Sequence, residues 1–155
     1  MTTNDRKFML LAIEQAQSAR GVGEVPIGAV ITDQNNNLIS TGHNLRESRH
    51  DPTAHAEIIA IRKASEKMQS WRMEHTTLYV TLEPCCMCIG AIVLARITRL
   101  VFGARDPKAG AVFSVYNIGS DNKLNHSLEI TEGVLESECS NLLIDFFKEL
   151  RKPLT

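Results

Sequence analysis

Two short stretches concentrate the side chains suited to metal and proton chemistry. "DPTAHAEIIA" (51–60) sets His55 and Glu57 two positions apart, and "LEPCCMC" (82–88) sets Cys85 and Cys88 in a C-x-x-C. That spacing lets two thiolates grip one metal. It also serves redox pairs, and a buried cysteine is otherwise an ordinary small hydrophobe. Ligand count narrows the metal readings. A structural zinc site takes four protein ligands, but there is no second C-x-x-C and no H-x(3–5)-H follows. Cys86 adjoins Cys85 and should point elsewhere, and Cys139 falls on the apolar side of a helix. Two cysteines therefore need one further ligand to make a three-ligand site with an open position, the mark of catalytic zinc.

Among His43, His50, His55, His75 and His126, His55 stands apart because of its surroundings. "DPT" offers capping residues and a proline suited to a first turn, which places His55 about one turn into a helix. Inside a helix, residues two apart point to roughly opposite faces. In the first turn, side chains lean over the open end, so His55 and Glu57 can address one point there. If the C-x-x-C helix also starts at that point, two positive helix ends favour the thiolate forms. A water at the open position has its pKa lowered, and Glu57 beside the metal can take its proton and hand it on. This set suits hydrolytic removal of an amino group from a ring carbon.

The elements that must position these groups follow from periodicity. Phe8, Met9, Ala12, Ile13, Ala16 and Ala19 recur at helical spacing. "IGAVIT" (27–32) and "NLISTG" (37–42) read as strands joined by the turn-rich "DQNNN", a hairpin. The helix holding His55 carries Ile58, Ile61, Ala64 and Met68 on one face. "TTLYVTL" (76–82) is a strand, and "CCMCIGAIVLA" (85–95) a buried helix, favoured by its length and by Pro84. "TRLVFG" (98–103) and 128–130 complete the strands. A last helix has Leu135, Cys139, Leu142, Leu143, Phe146 and Leu150 on its apolar side. Strands alternating with helices after a hairpin predict a mixed sheet covered on both faces, a three-layer α/β/α sandwich.

The 155 residues suit one domain, 1–155. With 43% hydrophobic and 23% charged residues, the composition is that of an ordinary soluble chain. No apolar run reaches the ~18 residues of a membrane span. "MTTNDRKFMLLAIEQ" lacks the apolar stretch and cleavage site of a secretory signal, and three of the four cysteines cluster too tightly for a disulfide framework. The expectation is a cytoplasmic protein without a membrane partner. The net charge of −1 is segregated: residues 86–118 hold Arg96, Arg99, Arg105 and Lys108 against Asp106, whereas 121–147 hold six acids against Lys123. Such a local basic patch can meet phosphates.

"HAE" followed by "PCCMC" resembles the motif of the zinc-dependent nucleobase deaminases, H-x-E…P-C-x-x-C. "EVPIGAV", "GHN", "DPTAHAEI", "VFGARDPKAGA" and "LNHSLEITEGVL…FF" are similar to the bacterial tRNA-specific adenosine deaminases along nearly the whole chain. The resemblance implies a cytidine deaminase-like, five-stranded mixed sheet and one zinc per subunit of a homodimer. No organic cofactor is implied. It further implies conversion of the wobble adenosine to inosine in the anticodon stem-loop of an arginine tRNA. By matching positions His55, Cys85 and Cys88 bind zinc and Glu57 shuttles protons. Asn44 resembles the contact to the flipped nucleoside, with Ile27 and Ala56 as pocket walls. Asp106, Lys108, Asn125, Phe146 and Lys148 resemble contacts to flanking nucleotides, with Phe146 expected to face outward. Phe113 stands where a small residue is expected, and Leu45 where a basic one is frequent.

Two other readings use the same residues. A free nucleobase or nucleoside deaminase, acting on guanine or cytosine, would share the zinc chemistry but lack salt-sensitive phosphate contacts. A non-catalytic zinc module would have no use for Glu57. A redox role would require thiols free to exchange, which zinc-bound Cys85 and Cys88 are not.

Overall fold

A computed structural model describes residues 2–152 of the chain. Its order is α1 (Thr3–Gly21), β1 (Gly28–Thr32), β2 (Leu38–His43), α2 (Ala56–Met68), β3 (Thr77–Leu82), α3 (Cys86–Leu94), β4 (Arg99–Ala104), β5 (Glu129–Glu132) and α4 (Glu136–Leu150). The five strands form one mixed sheet in the order β2-β1-β3-β4-β5. β1 runs antiparallel to both neighbours, and β3, β4 and β5 are parallel. The open α/β architecture is the expected one, and each expected strand and helix lies within a few residues of its predicted place. No helix among the described residues is long and apolar enough to cross a membrane.

Alternation along the strands sorts the core into two layers. Val30, Tyr79 and Val101 face α1 and α4, where they meet Phe8, Met9, Ala12, Ile13, Leu135 and Cys139. Ala29, Ile31, Leu78, Val80, Leu100 and Phe102 face α2 and α3, against Ala56, Ala60, Ala64, Ile89 and Ile92. A capping box between Thr2 and Asp5 starts α1. The Asp5 carboxylate also accepts two hydrogen bonds from Arg99, at 2.7 and 2.8 Å, and one from the Tyr79 hydroxyl at 3.2 Å. One buried acid thus ties the helix start to two strands.

The buried face of α2 differs from the expected one. Ala56, Ala60 and Ala64 pack in the core against the sheet, with Ile61 half-buried at its edge as expected, while Ile59 is buried outside that core, Ile58 is half-buried and Met68 is exposed. The cause lies in β2. A Cβ on Gly42 would stand 2.5 Å from the Ala56 carbonyl oxygen, so the helix backbone rides directly on the strand and only alanines fit the contact. Larger apolar residues are displaced to the flank. The segregated charge has a similarly local origin. β4 pairs with β5, and Arg99 meets Glu129 (3.6 Å) while Arg105 meets Glu132 (2.9 Å), so much of the basic segment is answered by the acidic one.

Candidate active site and metal centre

α2 and α3 both begin at the same end of the sheet, and the residue at each N-cap is a potential metal ligand. His55 caps α2 and Cys85 caps α3, both with extended backbone and neither bonding its own helix through its side chain. The expectation that "DPT" begins the helix is corrected. Asp51 Oδ1 accepts from the Thr53 N–H (2.8 Å) and hydroxyl (2.7 Å) in a tight turn, and the helix starts only at Ala56. His55 is therefore the cap itself, with Glu57 two positions on. Cys88 sits in the first turn of α3. All the groups stand at the open ends, which resolves how residues two apart converge.

His55 Nδ1 lies 3.6 Å from Cys85 Sγ and 3.5 Å from Cys88 Sγ, and the three donor atoms all fall within 4.8 Å of one another. Tetrahedral zinc with Zn–S of about 2.3 Å and Zn–N of about 2.05 Å requires N and S roughly 3.6 Å apart. The donor set fits zinc in both chemistry and spacing. Its electrostatics agree. The Cys85 thiol is drawn down to about 4, first by the hydrogen bond from Cys88 and then by His55, against the opposing effect of burial. Cys88 is shifted upward by that same hydrogen bond and by burial. Both sulfurs face His55 Nδ1, around the place a dication would take.

Glu57 is 4% exposed. Burial pushes its carboxyl up to about 7, and the neighbouring Cys85 thiolate adds to the effect. A carboxyl so placed can both hold and release a proton near neutrality.

Beside this centre is a recess of about 80 Å³ lined by Val25, Ile27, Asn44, Arg46, His55 and Ala56. Asn44 is buried in its wall, donating to the Val25 carbonyl and accepting from the Arg46 N–H, both at 3.4 Å. The recess opens into a groove of about 900 Å³. Arg105, Asp106 and Lys108 line it, together with Ile144 and Phe147 of α4 and Arg151 just beyond that helix. Ile27, Asn44 and Ala56 line the recess, and Ile27, Asp106 and Lys108 line the groove.

Three expectations come out differently. Phe146 is only 7% exposed, whereas Phe147 is 42% exposed and lines the groove, so the outward ring is Phe147. Lys148 is exposed on α4 outside the groove lining, which has Arg151 instead. Asn125 lies in the loop that the neighbouring His126 ties to the Ile97 carbonyl at 2.7 Å, beside the start of β4, whereas Asp106 follows the end of that strand. A single chain does not bring Asn125 to the groove. The Phe113 ring packs on Phe102, with centroids 6.1 Å apart, and beneath the Arg105 guanidinium. Arg46 stands one residue after Leu45, on both the recess and the groove, and offers the cation that Leu45 lacks. Sequence reasoning missed Arg46, Phe147, Arg151 and two buried carboxylates, Glu24 and Glu83. Glu24 accepts from the N–H groups of Glu47 and Ser48 (3.0 and 2.7 Å) and from the Ser48 hydroxyl (2.6 Å), pinning the loop that bears Arg46. The only signal for either acid was an isolated glutamate in an apolar run.

Fold and site together are those of a deaminase, and a family model described as MafB19-like deaminase matches residues 3–151. A tRNA-specific adenosine deaminase of Haemophilus influenzae is 51% identical over 148 residues, covering 96% of this chain and 86% of that protein. The tRNA-specific adenosine deaminase of Bacillus subtilis is 48% identical over 97% of this chain and 92% of its own. The chain belongs to the tRNA-specific adenosine deaminases. A structure solved in a study of A-to-I editing by tRNA deaminases at the wobble position superposes with a TM-score of 0.85 at 44% identity, covering 88% of this chain and 99% of that one. A guanine deaminase from Nitrosomonas europaea shares the fold at 22% identity and a TM-score of 0.80, covering 91% of this chain and 83% of its own.

Proposed function

We propose that this chain hydrolyses the wobble adenosine in the anticodon loop of a tRNA, an arginine tRNA first, to inosine. It acts as a single catalytic domain in a cytoplasmic homodimer. The observation that carries the reading is the two-part cavity. A recess of about 80 Å³ beside His55 continues into a groove of about 900 Å³ that His55, Glu57 and Cys85 also line. A free base needs only the recess, whereas a splayed-out nucleotide within a loop needs a place for its neighbours. Arg46, Lys108 and Arg151 line that groove with no ion-pair partner among the described residues, as phosphates require. The exposed side of α3, with Cys86 and Leu94, offers the second subunit an apolar face.

His55, Cys85 and Cys88 hold zinc, which when bound supplies Lewis-acid activation of water. Glu57 takes up a proton from the attacking water and delivers it to the adenine ring nitrogen next to the amino-bearing carbon. It then carries a second proton to the departing amino group. Water adds, ammonia leaves, and inosine remains. Ile27 and Ala56 wall the base, and Asn44 meets the nucleoside. Asp106, Lys108, Arg151 and the Phe147 ring meet the flanking nucleotides, with Arg151 and Phe147 filling the places first assigned to Lys148 and Phe146. Asn125 serves an RNA held by the partner subunit.

The test is incubation of zinc-loaded protein with an anticodon stem-loop bearing a wobble adenosine, and separately with free adenine, guanine, cytosine and their nucleosides, read by mass spectrometry. Inosine in the stem-loop alone is the expected result. Turnover of a free base with an untouched stem-loop would keep the zinc chemistry and overturn the substrate.

A further inference from the structure

Asp106 and Lys108 sit in a segment, 105–114, that forms neither helix nor strand. One carboxylate holds it in place. Glu83, which follows β3 and precedes Cys85 by two residues, is 2% exposed and reaches across to this segment. Its Oε1 accepts from the Asp106 N–H at 3.0 Å and from the Ser114 hydroxyl. Its Oε2 accepts from the N–H groups of Val112 (3.1 Å), Phe113 (2.8 Å) and Ser114 (2.9 Å). Burial would raise this carboxyl, but the donors together hold it below its ordinary value. Gly110 completes the cage. Its N–H donates to the Asp106 carbonyl at 2.9 Å, and a Cβ there would overlap the Glu83 carboxylate.

We infer that Glu83 is a positioning residue for RNA selection, locking the Asp106–Lys108 turn at a set distance from the metal centre to which its own strand leads. The inference rests on the groove being the RNA site. Glu83 is not among the metal donors, and its five accepted bonds all go to the loop. The reacting base is gripped at the recess and its neighbours at the loop, so the fixed offset between the two is a ruler for the bound strand. Losing it weakens substrate binding and spares the chemistry.

Glu83→Gln separates the ends of the cage. An amide NH2 at the Oε2 position would face three N–H donors. At the Oε1 position it faces only the Asp106 N–H and a hydroxyl that can rotate to accept. The glutamine therefore adopts the second orientation and releases the Asp106 end alone.

Steady-state kinetics on the stem-loop and zinc content of the same preparations test this. Glu83→Gln should keep one zinc per chain and kcat within about twofold, and raise KM about tenfold, the effect of losing one hydrogen bond to a charged group. With Asp106→Ala and Lys108→Ala already present, the same substitution should change KM by less than about twofold, because no contact remains to be misplaced. Ser114→Ala, which removes one donor and leaves the carboxylate intact, should raise KM about threefold and lose that effect in the same background. An unchanged KM, or a rise that persists undiminished in the doubly substituted background, would overturn the inference. So would loss of zinc together with kcat, which would assign Glu83 to the metal centre. A wild-type chain that leaves the stem-loop untouched overturns the substrate reading and this role with it, a failure visible before any variant is made.

Discussion

Replacing Gly42 by alanine should loosen the metal centre without touching a ligand. Gly42 lies in β2 beneath the first turn of α2, and a Cβ there would stand 2.5 Å from the Ala56 carbonyl oxygen and 2.8 Å from the Ala60 nitrogen. Both are backbone atoms, so neither can rotate away. A carbon–oxygen contact needs about 3.3 Å, so the start of α2 must retreat by about 0.8 Å. Metal sites hold their donor distances to about 0.2 Å. Ala56 lies between His55 and Glu57, so the displacement falls on a metal-donor candidate and on the buried carboxyl together. Zinc affinity should drop about 10–100-fold, the range seen when ligand-supporting contacts are lost, and overpacking should cost about 1–3 kcal/mol of stability. Competition with a chelator of known affinity reads the first quantity, and urea denaturation of the zinc-loaded protein reads the second. A Gly42→Ala protein that loses stability but binds zinc as tightly as wild type would refute the claim that the β2–α2 contact sets the donor geometry.

Arg99 beside Asp5 holds that buried carboxyl down at about 2, below the usual 3.8. A depressed folded value means the stabilisation is complete above about pH 4 and is lost as pH falls through 2, about 2 kcal/mol in all. Asp5→Asn should show that penalty at pH 7 and almost none at pH 2 by urea denaturation; a pH-independent penalty would contradict it, and acid release of metal, common to both proteins, cancels in the difference. Phe146→Ala should cost about 3 kcal/mol of stability, whereas Phe147→Ala should leave stability nearly unchanged and raise the stem-loop KM severalfold. If Arg46, Lys108 and Arg151 each meet a phosphate of a single strand, log affinity should fall against log salt with a slope of about −2, and Arg46→Ala should remove about 0.7 of it. An unaltered slope in Arg46→Ala would place that guanidinium away from the RNA.

The convergence of the candidate metal donors was legible because it is written in short spacings. His55, Glu57, Cys85 and Cys88 need only two helix starts at one end of a sheet to converge, and helix starts leave signals in sequence. The α2 face was misjudged because hydrophobicity ranks isoleucine above alanine, while the closeness imposed by Gly42 ranks alanine first. Phe146 was misjudged because the resemblance assigned it to RNA, although its spacing from Cys139, Leu142 and Leu143 already placed it on the packed side of the helix. Charge segregation suggested a basic patch because cross-strand pairing is invisible along the chain. Arg99 and Arg105 find Glu129 and Glu132 only once β4 and β5 are side by side. Glu24 and Glu83 were hidden for the same reason, since their donors come from loops 23 and more residues away.

The most direct test of the account is to measure zinc content and inosine formation on one preparation of Glu57→Ala. The three donors do not include Glu57, so the variant should carry one zinc per chain and form no inosine in the wobble stem-loop. Deamination at the wild-type rate would contradict the assignment of Glu57 as the proton shuttle, and loss of zinc would contradict a metal centre built from His55, Cys85 and Cys88 alone.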